Sequence, residues 1–288
     1  MRVACSNELM KEQPNADSPR PPGSYNHSKQ KKGSWSKLLP TARTRGTVTE
    51  RIDLPPPYTL VRLRESGEAF AHALEIAGHS GAGTLVYVGR FDLAEFAVVL
   101  EPSEPLHTAR RAFYAGMVAL TDALRAYAPP NKPVTIDWPD AVRVDGGLVG
   151  GGRLGWPTSV REDETPPWLV FGAMIRTVAM TETEAGIHPL ASALEEEGFG
   201  DIGAVEVTES FARHLMVAFD RWQADGFGAV AHQYLALIER QKQTSRRIEA
   251  NGNFVVQRLG HEKAAPIELA QALAKPTWLD PDSGGPRL

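Results

Sequence analysis

The chain has 288 residues, a net charge of −4, 42 % hydrophobic and 23 % charged residues, a globular composition with length for one large domain or a medium domain and a satellite. The acidic balance excludes general affinity for nucleic acid or an anionic membrane, and its longest apolar run, Trp168 to Ile175, is under half of a membrane span. The single cysteine, Cys5, excludes an intrachain disulfide and a cysteine metal cluster and makes a reducing, cytoplasmic setting the expectation.

Residues 1–54 read as a disordered N-terminal tail. Met1 to Asp53 holds five Lys, five Arg and five acids, has clustered prolines and lacks an apolar period. Without a helical period there is no helix-turn-helix, so nucleic acid is not an expected partner. A domain over 55–241 follows. Ser66-Gly67-Glu68 opens a helix with Phe70, Leu74 and Ala77 on one face. His79 to Gly83 is a loop, Thr84 to Val88 a β-branched strand, and Phe96 to Leu100 a strand apolar throughout and buried on both faces. A long helix carries the stripe Ala109, Phe113, Met117, Leu120, Leu124 and Tyr127, and Pro129-Pro130-Asn131 stops it. Val134 to Ile136 and Val142 to Val144 are short strands, and Asp145-Gly146 is a hairpin turn. Trp168 to Met180 alternates as a long strand. Two helices follow, the first capped by Thr208 and presenting Phe211, Leu215, Phe219 and Trp222. Ile248 to Val256 is a hairpin on Asn251-Gly252, the start of a small β-rich C-terminal module over 245–288. The expected class is α+β, a mixed sheet packed with helices plus this module.

Motifs for common chemistries fail on context. Gly150 to Gly155 satisfies G-x-G-x-x-G, but Trp156-Pro157 follows instead of a helix, which removes the dinucleotide reading. Gly78-His79-Ser80-Gly81-Ala82 misses the last glycine of a nucleophile elbow and follows a helix. The eight histidines are scattered, without H-E-x-x-H, so no metal site is expected; His107, His188, His214 and His232 read as satisfied or exposed side chains.

The most specific stretch runs from Thr135 through Trp138-Pro139-Asp140 and Asp145-Gly146 to Gly150-Gly151-Gly152. Its grammar is strand, tight turn, strand, hairpin, then glycines. Proline stiffens the turn beside Trp138, making that indole a candidate pocket wall. Three glycines let backbone N–H groups approach a carboxylate or phosphate, or else mark a bulged strand end.

This stretch resembles the biotin and lipoate protein ligases, whose signature is Lys-Trp-Pro-Asn-Asp, a strand, a hairpin, then Lys-x-x-Gly-Ile-Leu. The resemblance covers Leu60 to Gln241, with Gly81-Ala82-Gly83 placed at the family's glycine- and arginine-rich ligand loop. It implies a class II synthetase-like domain, a biotin-, lipoate- or octanoate-like acid as ligand, ATP with Mg²⁺ as co-substrate, and a biotinyl or lipoyl acceptor domain as partner. Such enzymes form an acyl-adenylate and pass the acyl group to an acceptor lysine. The chain departs from the signature at the charged positions. Gly147 stands at the second lysine, Asp137 at the first, Asp140-Ala141 at Asn-Asp, and Lys132 falls on neither. Cys5 lies far from the motif, which argues against a thioester route. Arginine is the remaining cation type for acid or phosphate, so Arg153 is the candidate catalytic charge stabiliser. The alternative for Arg153 is a surface pair with Glu162 or Asp163. Gly81, Gly83, Arg90, Trp138, Asp140, Gly150, Gly151 and Gly152 are the candidate ligand-binding residues. Two functions follow: a divergent ligase or acyltransferase, or a non-catalytic homologue that binds the ligand and has lost adenylation.

Overall fold

The structure is a computed structural model that describes residues 51–179, 190–258, 260 and 265–288. The expected N-terminal tail, with Cys5, lies outside these residues except at its end, as does His188. Ile52 and Leu54 pack against the core, and the Asp53 amide donates to Glu209 at 2.6 Å.

The described elements are β1 (Thr59–Leu63), α1 (Ala69–Ile76), β2 (Thr84–Val88), β3 (Leu93–Leu100), α2 (Leu106–Ala109), α3 (Ala112–Arg125), β4 (Val134–Asp137), β5 (Ala141–Val144), β6 (Gly147–Gly155), β7 (Leu169–Arg176), α4 (Ala204–Asp225), α5 (Phe227–Leu237), β8 (Thr244–Ile248), β9 (Phe254–Arg258) and α6 (Leu269–Leu273). Seven strands form one sheet in the order β1-β2-β3-β7-β6-β5-β4, and β8 and β9 pair separately. Only β1 and β2 are parallel, joined through α1; the other pairs are antiparallel, as the mixed-sheet expectation holds.

Strand alternation divides the core between two faces. Leu85, Tyr87, Phe96, Val98, Phe171, Ala173 and Ile175 look toward α3, α4 and α5. Val86, Val88, Ala97, Val99 and Val170 look the other way, toward α1. Farther along that second face a third cluster holds Leu93, Ala141, Leu148, Met174 and Trp278. Every residue of β2 and β3 is buried, which is why their sequence is nearly unbroken apolar.

The hairpin turns form where expected. Asp145 and Gly146 take φ of 48° and 86°, and Gly252 takes 91°. Three local expectations are corrected. The long helix is broken into α2 and α3, because three-residue bonds from Arg111 to Thr108, Phe113 to Arg110 and Tyr114 to Arg111 tighten the chain there. Thr208 does not cap α4; its hydroxyl donates to the Ala204 carbonyl inside the helix at 2.7 Å, while Glu206 accepts from the Gly203 amide at the start. The long strand ends at Arg176 rather than Met180, where the Thr177 amide turns to the Asp92 carbonyl. Among the described residues no helix is long and apolar enough to cross a membrane.

Candidate functional site

The candidate residues fall on the middle of the sheet and on its two ends. Register places Ala141, Gly151, Met174, Glu95 and Val88 in one row across five strands. Gly152 and Arg153 lie on the next rows of β6. Asp140 closes the β4–β5 turn beside them, its carbonyl accepting from the Gly152 amide at 3.0 Å. Arg90 sits in the β2–β3 turn at the same end of the sheet, three strands away from Gly151. Gly81 and Gly83 are not brought to this row. Gly83 bonds to the Val99 carbonyl at 2.9 Å, level with Gly155 at the far end of β6. That is five residues from Gly150, roughly 17 Å along the strand at about 3.3 Å per residue.

The three glycines are interior to β6, between β5 and β7, rather than in a loop. Their amides face ladder partners. The glycines instead serve close packing. A Cβ on Gly150, whose φ is 150°, would strike the Met174 carbonyl. One on Gly152 would lie 2.6 Å from the Met117 sulfur, and one on Gly151 2.6 Å from Cγ of Trp278. Trp138 looks to the opposite side. Its indole stacks on Phe254 at 4.7 Å and donates to the Tyr114 hydroxyl at 3.2 Å, so the C-terminal hairpin covers it.

The α1 face carries the charges. Arg153 pairs with Glu68, not with Glu162 or Asp163, and its guanidinium lies 4.2 Å over the Phe70 ring. Glu162 is held by Arg110 and Asp163 by Arg161, because both acids sit on the loop before β7, away from β6. The Arg153 Nε is buried and unpartnered, and burial lowers the basicity of the guanidinium against the pull of Glu68. Glu68 also caps α1, accepting from the Ala71 amide at 3.2 Å. Glu95, buried, accepts from the Ala69 amide at 2.7 Å, and burial raises its pKa. Arg90 holds Asp92 through two bonds of 3.0 and 2.6 Å; that pairing raises the arginine pKa and lowers the aspartate's. Asp140 is buried and accepts from the Thr277 amide at 2.9 Å and hydroxyl at 2.5 Å; burial pushes its pKa up to about 6.

Arg90, Arg153 and Arg176 thus lie among four carboxylates, Glu65, Glu68, Asp92 and Glu95. One carboxylic acid can replace Glu68 on Arg153, charge for charge. Arg176, on the same face near Asp92, donates to the backbone carbonyls of Ser192, Pro286 and Arg287; among the described residues there is no cluster of three His, Cys, Asp or Glu side chains for a metal ion.

Glu68, Glu95, Thr277 and Trp278 are the residues that sequence reasoning missed. Glu95 had a signal, a lone acid just ahead of an unbroken apolar strand. Trp278 had only its presence in a Pro-, Asp- and Gly-rich end. Gly147, at the lysine position of the resembled signature, is backed by Ser192, whose Cβ would be 2.6 Å from an added Cβ. Gly147→Lys is accordingly expected to cost about 1–3 kcal/mol in urea denaturation through overpacking; unchanged stability would show that the 190–194 segment yields freely.

A family model described as the biotin/lipoate A/B protein ligase family matches residues 54–236. A biotin protein ligase-like protein of unknown function from Silicibacter sp. TM1040 is 26 % identical, with 78 % of this chain and 100 % of that chain covered at a TM-score of 0.68. Biotin protein ligase from Aquifex aeolicus is 15 % identical, with 73 % and 95 % covered at 0.58. The same enzyme solved in complex with biotin and ATP matches at 0.56 and 15 % identity, with 73 % and 95 % covered. At that identity the likeness is one of fold. No curated protein matches the chain.

Proposed function

The chain belongs to the biotin/lipoate A/B protein ligase family, and we propose that it is a divergent ligase or acyltransferase that binds a biotin-, lipoate- or octanoate-like acid on the α1 face of the sheet, with Arg153 as its charge stabiliser. One observation carries the reading. Arg153 projects from the glycine strand to the N-terminal end of α1, with one buried unpartnered N–H and a carboxylate already on its fork. A ligand acid exchanging with Glu68 gains the bidentate partner and leaves Glu68 its capping bond to Ala71. The acceptor is a lysine on a biotinyl or lipoyl domain, as the family's chemistry implies.

The second reading, a binding protein without adenylation, is favoured by Ser192 closing the space over Gly147 and by the acidic excess around Arg90 and Arg153. Both readings meet one experiment. Incubation with ATP, Mg²⁺ and each of biotin, lipoate and octanoate is expected to release pyrophosphate, and Arg153→Ala to slow that release by about 100-fold, the usual loss of one preorganised charge partner. Calorimetric binding without pyrophosphate supports the second reading. Neither binding nor release with all three acids overturns both.

A further inference from the structure

Resting on this acid-binding reading, we propose that residues 277–287 form a strap that occupies the acid's seat on Gly151 and lifts off when the ligand enters. Trp278 is fully buried among Leu93, Ala141, Leu148 and Met174. Its ring fills the space left by the missing side chain of Gly151, and its Nε1 donates to the Gly152 carbonyl at 3.0 Å. A flat apolar group with one polar anchor on β6 is thus seated two residues along the strand from Arg153 and on the same face, where an acid held by Arg153 would lay its chain.

The strap is built to detach. Of residues 277–288 only Trp278 and Pro286 are buried. The segment closes on itself, with the Arg287 amide donating to the Trp278 carbonyl at 2.8 Å and the Asp280 amide to Gly285 at 2.8 Å. Its polar ties to the sheet are few. Thr277 donates twice to Asp140, the Trp278 indole donates to Gly152, and Arg176 donates to the carbonyls of Pro286 at 2.6 Å and Arg287 at 3.4 Å. A loop with internal bonds, two buried residues and a few tethers opens at far lower cost than the strands beneath it. Ligand and indole compete for one surface, so acid affinity is reduced by the fraction of molecules in which the strap is lifted.

The test uses the full chain and two variants that loosen different tethers, Thr277→Val and Arg176→Gln. Circular dichroism melts check that both fold. Hydrogen exchange is followed over 277–287, and affinities for biotin, lipoate and octanoate are measured by calorimetry. Faster exchange in both variants, with one acid bound about fivefold tighter or more, is expected from loss of a charge-assisted tether. In the unmodified chain, saturating acid should speed exchange of 277–287, the reverse of ordinary ligand protection. Faster exchange with affinity equal to that of the unmodified chain overturns the strap and leaves acid binding standing. Faster exchange with none of the three acids bound by any of the proteins overturns both. Unchanged exchange shows that these tethers do not hold the segment and overturns the strap.

Discussion

Phe171→Ala and Gly116→Ala are expected to be destabilising alone and partly compensating together. The Phe171 ring lies flat against Phe211, 5.5 Å away and 12° from parallel, and fully buried. Its edge reaches into the surface of α3 at Gly116, where an added Cβ would stand 2.8 Å from the ring's Cγ. Removing the ring should cost about 3–5 kcal/mol, the range for a buried aromatic truncated to alanine. Adding a methyl at Gly116 would ordinarily favour a helix by up to about 1 kcal/mol. Here overpacking should outweigh that gain and leave a loss of about 1–3 kcal/mol. In the double variant the methyl enters the space the ring vacated. The combined loss should then fall short of the sum by about 1 kcal/mol or more in urea denaturation. Simple additivity would show that α3 does not rest on Phe171.

Asp140 should give the chain a stability term that runs against the usual carboxylate trend. Its carboxyl titrates at about 6 in the folded protein against 3.8 for the free side chain, because burial disfavours the anion. A raised carboxyl pKa means that the folded state holds the proton more tightly. The resulting stabilisation is fully present below about pH 4 and is lost as pH rises through about 6, a change of about 3 kcal/mol at 1.36 kcal/mol per unit. Asp140→Asn removes the charge and keeps the bonds, with Oδ1 accepting from the Thr277 amide and Nδ2 donating to its hydroxyl. The variant should therefore gain about 2.4 kcal/mol relative to the unmodified chain between pH 4 and pH 7. Other shifted carboxylates, such as Glu95 and Asp92, are common to both proteins and cancel in that difference. A constant difference between the two pH values would show that Asp140 is not paying a burial cost.

Much of the fold is legible from local pattern. Strands β2, β3 and β7 announce themselves by apolar, β-branched runs, α3 and α4 by their 3–4 spacing, and the hairpins by Asp-Gly and Asn-Gly. Strand β1 was harder to see, since it is an edge strand with mostly exposed and half-buried residues. The start of α4 is not marked by Thr208, because a threonine inside a helix can bond back to its own carbonyl ladder as readily as cap it. Of the candidate site, Asp140, Gly150, Gly151, Gly152 and Arg153 lie together on the middle of β6 and the β4–β5 turn beside it, whereas Gly83 is level with the Gly155 end of β6 and Trp138 packs on the opposite side.

By itself the sequence determined the α+β class, the order of most elements, the turns that join the central hairpins and the resemblance carried by Trp138-Pro139 through Gly152, now matched by the family itself. These are properties of neighbours along the chain, where φ/ψ preference and burial period act over a few residues. Only the tertiary structure decided that Arg153 faces Glu68, 85 residues away, and that Trp278 donates to Gly152, 126 residues away. Periodicity tells which face of a strand is buried but not what lies on it. That partner is chosen by through-space shape and charge, to which the two sequences contribute separately.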